Sequence, residues 1–118
     1  MRVTKDLVAA SATPIVLGIL AESESYGYAI LRRISELSGG ELDWTEGFLY
    51  PLLHRLENLG HVESSWQTVP GERRRKYYRI TKQGLAELTE HRRQWETVVD
   101  ALKQVWPHVG FIPLGGTA

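Results

Sequence analysis

The leucines between residues 49 and 59 are the feature that most constrains the fold of this chain. At about 100° per residue on a helix, all of them fall within one arc. They are Leu49, Leu52, Leu53, Leu56 and Leu59. Tyr50 and His54 lie on the opposite face, and Arg55 lies on its flank. The spacing predicts a helix from about Thr45 to Asn58 that buries its leucine face and exposes a polar face.

One residue of this helix is unusual for its position. Pro51 falls beyond the first turn, where a proline removes one backbone hydrogen bond and crowds the carbonyl four residues earlier. That earlier residue is Gly47, which can adjust its backbone most easily. We therefore expect a slightly distorted but intact helix.

Two shorter helices are predicted before it. Thr13 and Pro14 suit the N-cap and the first helical position of a helix that continues through the apolar run behind them. The stretch before Thr13 forms either a separate helical turn or the first half of a kinked helix. Ser25 suits the cap of a second helix, which Gly39 and Gly40 end. The N-terminal apolar run is too short for a membrane span, so we expect a core helix of a cytoplasmic protein.

Residues 61–69 and 75–80 are rich in aromatic and β-branched residues, which predicts two short strands joined by a turn at residues 70–74. Four consecutive basic residues cross from this turn into the second strand: Arg73, Arg74, Arg75 and Lys76. The whole chain holds 14 basic and 14 acidic side chains. Because salt screens charges beyond about 8 Å, such a local cluster rather than the total charge governs attraction to a polyanion.

Thr81 suits the cap of a last helix that runs to about Trp106. The apolar positions of this helix keep the three-four alternation of a helix that packs lengthwise on a partner. They are Leu85, Leu88, Trp95, Val99, Leu102 and Trp106, and Arg92 interrupts them. A chain of 118 residues has little other core to cover this seam, so we expect a homodimer. The alternative is that the seam folds back on its own domain.

Together the elements predict a mainly α fold with a small β-hairpin, namely a winged helix-turn-helix with an added C-terminal dimerisation helix. We assign residues 1–80 to the winged-helix domain, residues 81–106 to the dimerisation helix and residues 107–118 to a flexible tail. A basic hairpin tip beside an exposed helix face is suited to holding the phosphates of double-stranded DNA while the helix enters the major groove. The basic turn is therefore a predicted DNA contact.

Three stretches resemble the PadR family of bacterial transcriptional regulators, in its short form with one C-terminal helix. They are YGYAI at residues 26–30, LYPLLHRLENLGHVESSW at residues 49–66 and RRRKYYRITKQG at residues 73–84. The family wing usually has glycine directly before its first arginine, whereas Glu72 separates Gly71 from Arg73 here.

The resemblance implies a homodimeric repressor that binds an inverted-repeat operator. It makes Tyr50 and His54 predicted DNA contacts, with Arg55 beside them. It also places the dimer interface at the apolar seam, where some family members bind flat aromatic compounds against a tryptophan. The interface residues predicted here are Trp95, Arg92, Val99, Leu102 and Trp106. A small aromatic effector at Trp95 is therefore a hypothesis, and the alternative is that this indole only packs.

Other functions find little support in the sequence. The chain has no cysteine, and its four histidines form no close helical pair, so we expect neither a metal site nor a cofactor. It carries no Gly-rich phosphate loop, nucleophile elbow or clustered carboxylate pair, so we expect no enzymatic activity. The alternative function is a winged-helix module that binds an acidic protein through its wing and never contacts DNA.

Overall fold

The computed structural model describes residues 3–106. In chain order, this range contains α1 (Lys5–Glu22), β1 (Ser25–Tyr26), α2 (Gly27–Leu37), α3 (Glu46–Asn58), β2 (Val62–Thr68), β3 (Arg74–Ile80) and α4 (Lys82–Val105). The three strands form one antiparallel sheet in the order β1-β3-β2. Strands β2 and β3 and the turn between them form the wing. The mainly α fold class with a small β element is confirmed. The predicted tail at residues 107–118 lies outside the described residues.

Helix α1 begins earlier than the sequence predicted. Thr4 is its N-cap, and the Thr4 side chain accepts a hydrogen bond from the amide of Leu7 at 3.4 Å. The prediction that Thr13 and Pro14 start the helix was wrong, because Pro14 lies inside it. The alternative that the preceding stretch forms the first half of the helix is correct. Ala12 before the proline and Val16 after it are both buried in the core, so core packing holds the helix on both sides of Pro14.

The predicted hairpin is a three-stranded sheet, because Ser25 and Tyr26 add a short edge strand. They pair with Tyr78 and Tyr77 of β3, respectively. The prediction that Ser25 caps α2 was therefore wrong: α2 begins at Gly27, and its N-cap Tyr26 makes no side-chain capping bond. A strand of two residues is too short to show an alternating pattern in sequence, so only the tertiary pairing reveals it.

Helix α3 follows the prediction closely. Thr45 caps it by accepting a hydrogen bond from the amide of Phe48 at 3.2 Å, and Pro51 lies inside an intact helix. The buried leucines are Leu49, Leu52, Leu53 and Leu56. Leu59 was expected on the same buried face but is 57 % exposed, because it is the C-cap residue and the chain turns away at Gly60, whose φ is 80°.

The core joins helices α1, α2 and α3 to the sheet. Its fully buried side chains include Val16, Leu17, Ile30, Ile34, Leu49 and Leu53. From the sheet, Val62 of β2 and Tyr78 of β3 pack into the same cluster. The start of α4 is attached beside it, because the Thr81 hydroxyl donates to the Gly60 carbonyl at 2.6 Å and accepts from the Gly84 amide at 3.0 Å. The predicted cap at Thr81 is thus correct, and the core fixes α3 and the wing relative to each other.

The chain divides into two compact units between Leu88 and Thr89. The first unit contains the helices α1 to α3, the sheet and the start of α4, whereas the sequence analysis set a boundary after residue 80. The described part of the second unit is the remainder of α4, which continues to Val105. Within residues 3–106, no helix combines the length and the apolar character that a membrane crossing requires.

Replacing two helical glycines by alanine is expected to change the free energy of unfolding in opposite directions. A Cβ atom on Gly84 would lie 2.0 Å from the carbonyl oxygen of His61, whereas one on Gly18 would meet nothing within 4 Å. Gly84→Ala is expected to lower the free energy of unfolding by about 1–3 kcal/mol through overpacking. Gly18→Ala is expected to raise it by about 0.5–1 kcal/mol, because alanine favours the helix. Urea unfolding at one protein concentration measures both, and a Gly84→Ala variant as stable as the wild type or more stable would contradict the close approach at Gly84.

Candidate nucleic-acid interface

The exposed face of α3, the start of α2 and the wing line one open groove of about 710 Å³, hereafter the basic groove. Six of the seven DNA-contact residues predicted from the sequence line it: Tyr50, His54, Arg73, Arg74, Arg75 and Lys76. The seventh, Arg55, does not line this groove. It lies on the flank of α3 that faces α1, beside Ala9 and Phe48. The structure therefore brings together two segments that are about twenty residues apart in sequence.

The basic groove also contains residues that the sequence analysis did not assign to a site. They are Tyr26, Gly27, Tyr28, Glu46, Trp66 and Tyr78. Tyr26, Gly27 and Tyr28 lie where β1 meets α2, a stretch that the sequence identified only as a family motif. Trp66 was interpreted only as a strand former. The strand register would have revealed it, because Trp66 lies directly opposite Lys76 in the pairing of β2 with β3.

The turn of the wing has well-defined geometry. Pro70 and Gly71 occupy its two central positions, and the Glu72 amide donates to the Val69 carbonyl at 2.9 Å. Gly71 has a φ of 82°, which an L-residue with a side chain rarely adopts. Glu72, which departs from the family pattern, closes this turn. Its carboxylate lies 3.7 Å from a guanidinium nitrogen of Arg75.

Two cations of β3 lie on aromatic rings in the basic groove. Arg74 and Lys76 share the face of the strand that carries Tyr78, because alternate residues point to the same side. The Arg74 guanidinium lies 4.9 Å from the ring centroid of Trp66, and the Lys76 ammonium lies 5.6 Å from that of Tyr78. The rings hold the cations in place while leaving N–H donors for an anion. This face of the wing thus presents two ring-supported cations to the basic groove.

Arg75 has different surroundings. Its guanidinium lies 4.4 Å from the ring centroid of Tyr26, and the Tyr26 ring meets Tyr77 edge-on at 5.3 Å between centroids. The pKa of Arg75 is raised, first by its hydrogen bond to the side chain of Tyr77, with smaller contributions from Tyr26 and Glu72. Arg75 is therefore held by contacts within the protein, although its side chain is partly exposed.

Tyr50 reaches from α3 to the first residue of α2. A Cβ atom on Gly27 would lie only 2.1 Å from the Tyr50 hydroxyl oxygen, so this approach requires glycine. The pKa of Tyr50 is raised, mainly because the phenol is partly removed from water and also because of the negative charge of Glu46. The hydroxyl thus stays protonated at neutral pH and can donate a hydrogen bond. His54 is exposed one turn further along α3.

The predicted interface residues of α4 form a partly exposed stripe. Trp95, Val99 and Leu102 are partly buried, and Trp106 is 39 % exposed. Arg92 lies 3.7 Å from the carboxylate of Glu96 on the same helix, and both side chains are exposed. An ion pair within α4 thus gives Arg92, which interrupts the apolar seam, a partner on its own helix. Within residues 3–106, no group of three His, Asp or Glu side chains could hold a metal ion.

Three helices around a leucine core, followed by a basic two-stranded wing, define a winged-helix protein of the kind that binds nucleic acid. The comparison with protein families then gives the particular group. Residues 16–90 match the model of the transcriptional regulator PadR-like family. The chain belongs to this family, and the resemblance found in its three sequence stretches is confirmed.

Individual relatives agree with this assignment. A transcriptional regulator of Mycobacterium tuberculosis is 41 % identical over 81 residues, which cover 69 % of this chain and 72 % of that protein. The structure of a transcriptional regulator from Clostridium thermocellum superposes with a TM-score of 0.77 at 29 % identity, covering 85 % of this chain and 97 % of the other. A PadR family regulator from Eggerthella lenta gives a TM-score of 0.74 at 31 % identity, with coverages of 87 % and 88 %.

The electrostatics of Tyr50 can be tested directly. The negative charge of Glu46 opposes formation of a second negative charge on the phenol. Glu46→Gln is therefore expected to lower the pKa of Tyr50 while leaving it above the ordinary tyrosine value, because burial is the larger cause. Titration of ζ-carbon-labelled tyrosine by NMR measures this, with Tyr50→Phe identifying the signal. If the pKa of Tyr50 is unchanged in Glu46→Gln, the negative charge of Glu46 does not act on the phenol as described.

Proposed function

We propose that this protein is a transcriptional repressor that binds an inverted-repeat operator in double-stranded DNA as a homodimer. The observation that carries the proposal is the basic groove, in which the exposed face of α3 meets the cations of the wing. Membership of a family of transcriptional regulators supports the same function.

The two sides of the groove have different proposed roles. Arg73, Arg74 and Lys76 contact phosphates, because they concentrate positive charge near the turn of the wing. Arg55 adds a phosphate contact on the flank of α3. Tyr50 and His54 face the base edges, since the N-terminal half of a recognition helix usually enters the major groove. Phosphate contacts supply affinity, and the contacts from α3 supply sequence preference.

The apolar stripe of α4 supports the homodimer. Trp95, Val99 and Leu102 recur at the spacing of a helix that packs along a second helix. A two-fold pair presents two recognition helices, which read half-sites about one helical turn, ~34 Å, apart. The operator is accordingly an inverted repeat.

The effector remains a hypothesis. A small aromatic compound stacked on Trp95 between two copies of α4 would alter the spacing of the wings and release DNA, and DNA would weaken ligand binding to the same extent. A cation in an apolar seam without a partner would have favoured a ligand there, but Arg92 is paired with Glu96, so it gives the effector no support. Trp106 remains as the second ring along the stripe.

DNA binding is tested with the intergenic DNA upstream of the protein's own gene. Arg73→Ala is expected to weaken binding to all sequences and to flatten the slope of log affinity against log salt by about 0.9 per lost phosphate contact. Arg79→Ala is the matched control, because Arg79 is another arginine of the wing, on β3, but is paired with Glu63. Tyr50→Phe and His54→Ala should instead change the preference among operator variants.

The alternative function predicts a different result in the same measurement. A winged helix that binds only an acidic protein would show no DNA binding that survives excess random DNA. If Arg73→Ala binds as tightly as the wild type at moderate salt, the proposed role of the wing is wrong.

The dimer is tested by sedimentation equilibrium. The wild type is expected to be a dimer at micromolar concentration, and Leu102→Glu to be a monomer, because a carboxylate in an apolar seam loses its hydration. Gln104→Glu is the control, since Gln104 is an exposed residue of α4 outside the stripe. A monomeric wild type, or equal effects of the two variants, would overturn the homodimer.

A further inference from the structure

The basic residues of the wing do not form one uniform surface, because successive residues of a strand point to opposite sides of a sheet. Arg74 and Lys76 lie on the side of Tyr78, which is 4 % exposed and packs into the core. Arg75 lies on the other side together with Tyr77. The sequence run therefore contains two kinds of cation, although it appears continuous.

The contacts of Arg75 join three separate segments. Its guanidinium, carried by β3, stacks on Tyr26 of β1 at 4.4 Å and approaches Glu72 of the turn at 3.7 Å. Strand β1 is held to β3 by only two residue pairs, which is little for a strand on its own. The contact with Tyr26 therefore strengthens the weakest junction of the sheet.

This junction leads directly to the recognition helix. Tyr26 is followed by Gly27, against which the hydroxyl of Tyr50 packs. A continuous path of contacts thus runs from Arg75 of the wing through the start of α2 to α3. A surface whose parts are held in place before binding loses less conformational entropy when it binds.

We infer that Arg75 is a positioning residue, which fixes the wing to the start of α2, and that Arg73 and Arg74 rather than Arg75 contact phosphate. The consequence for DNA binding rests on the proposed function. The positioning itself is a property of the free protein and can be measured without DNA.

The first experiment is hydrogen exchange, read by mass spectrometry, in the free protein. Arg75→Ala and Tyr26→Leu each remove the stack of Arg75 on Tyr26. In both variants, the amides in the paired segments around Tyr26 and Tyr77 are therefore expected to exchange several-fold faster. Tyr26→Phe keeps the ring and should exchange like the wild type, and so should Arg73→Ala. If Arg75→Ala exchanges like the wild type, the inference is wrong whatever the protein binds.

The second experiment measures DNA affinity over a series of salt concentrations. Arg75→Ala is expected to weaken binding with an unchanged salt slope, in contrast to Arg73→Ala. Tyr26→Leu should reproduce the loss, and the double variant Arg75→Ala with Tyr26→Leu should lose no more than either single variant. A flattened slope in Arg75→Ala, with losses that add in the double variant, would identify a phosphate contact and overturn the inference.

The variant Arg75→Lys further distinguishes a positioning role of Arg75 from a phosphate contact. Lysine keeps the charge that a phosphate contact needs but lacks the planar group that stacks on Tyr26. Arg75→Lys is therefore expected to bind DNA about as weakly as Arg75→Ala, and wild-type affinity in this variant would contradict the positioning role. If the wild type itself binds no DNA, the proposed function fails while the exchange experiment still decides the inference.

Discussion

Leu49, Leu53 and Leu56 of α3 are buried in the core, and this burial fixes the rotation of the helix about its own axis. Because a helix that buries one face must present the opposite one, Tyr50 and His54 are directed toward the basic groove. Tyr78 enters the same core from β3, so the wing is held to the helix by the same apolar contacts. The geometry of the candidate site is therefore a consequence of core packing.

The elements that could be predicted from the sequence are those with a strong local signal. The leucine spacing identified α3 and its exposed face, and the Pro-Gly turn identified the wing. The missing information was tertiary. Ser25 was taken for a cap because its pairing partner in β3 lies about fifty residues away, and Leu59 was taken for a core residue because helical spacing does not show where a helix ends. The role of Trp66 in the groove likewise depends on strand register, which only the folded sheet fixes.

Basic side chains in the basic groove have different contact partners from several of those elsewhere in the described residues. Outside the groove, several arginines pair with carboxylates, as Arg33 does with Glu22 at 2.9 Å and Arg93 with Glu90 at 2.5 Å. Hydrogen bonds from Arg93 and Gln94 lower the pKa of Glu90 to about 2. In the groove, by contrast, aromatic rings support cations such as Arg74, and a ring does not neutralise the charge as a carboxylate does. A chain with a formal net charge of zero can in this way keep one strongly positive surface.

Strand β3 is held by two neighbouring strands at one end and by one at the other. The same strand can therefore stabilise the sheet and take part in the proposed DNA binding. Its C-terminal half is held on both sides, because Tyr77 and Tyr78 pair with β1 as well as with β2. Its N-terminal half, from Arg74 to Lys76, pairs with β2 alone. The stack of Arg75 on Tyr26 extends the attachment to β1 two residues further toward the turn. Arg73 lies beyond the paired strand and is exposed, so the most freely placed cation of the wing is the one nearest its tip. In the proposed DNA complex, a basic segment built in this way would adjust the contact of Arg73 with a phosphate while the part next to α3 keeps its position.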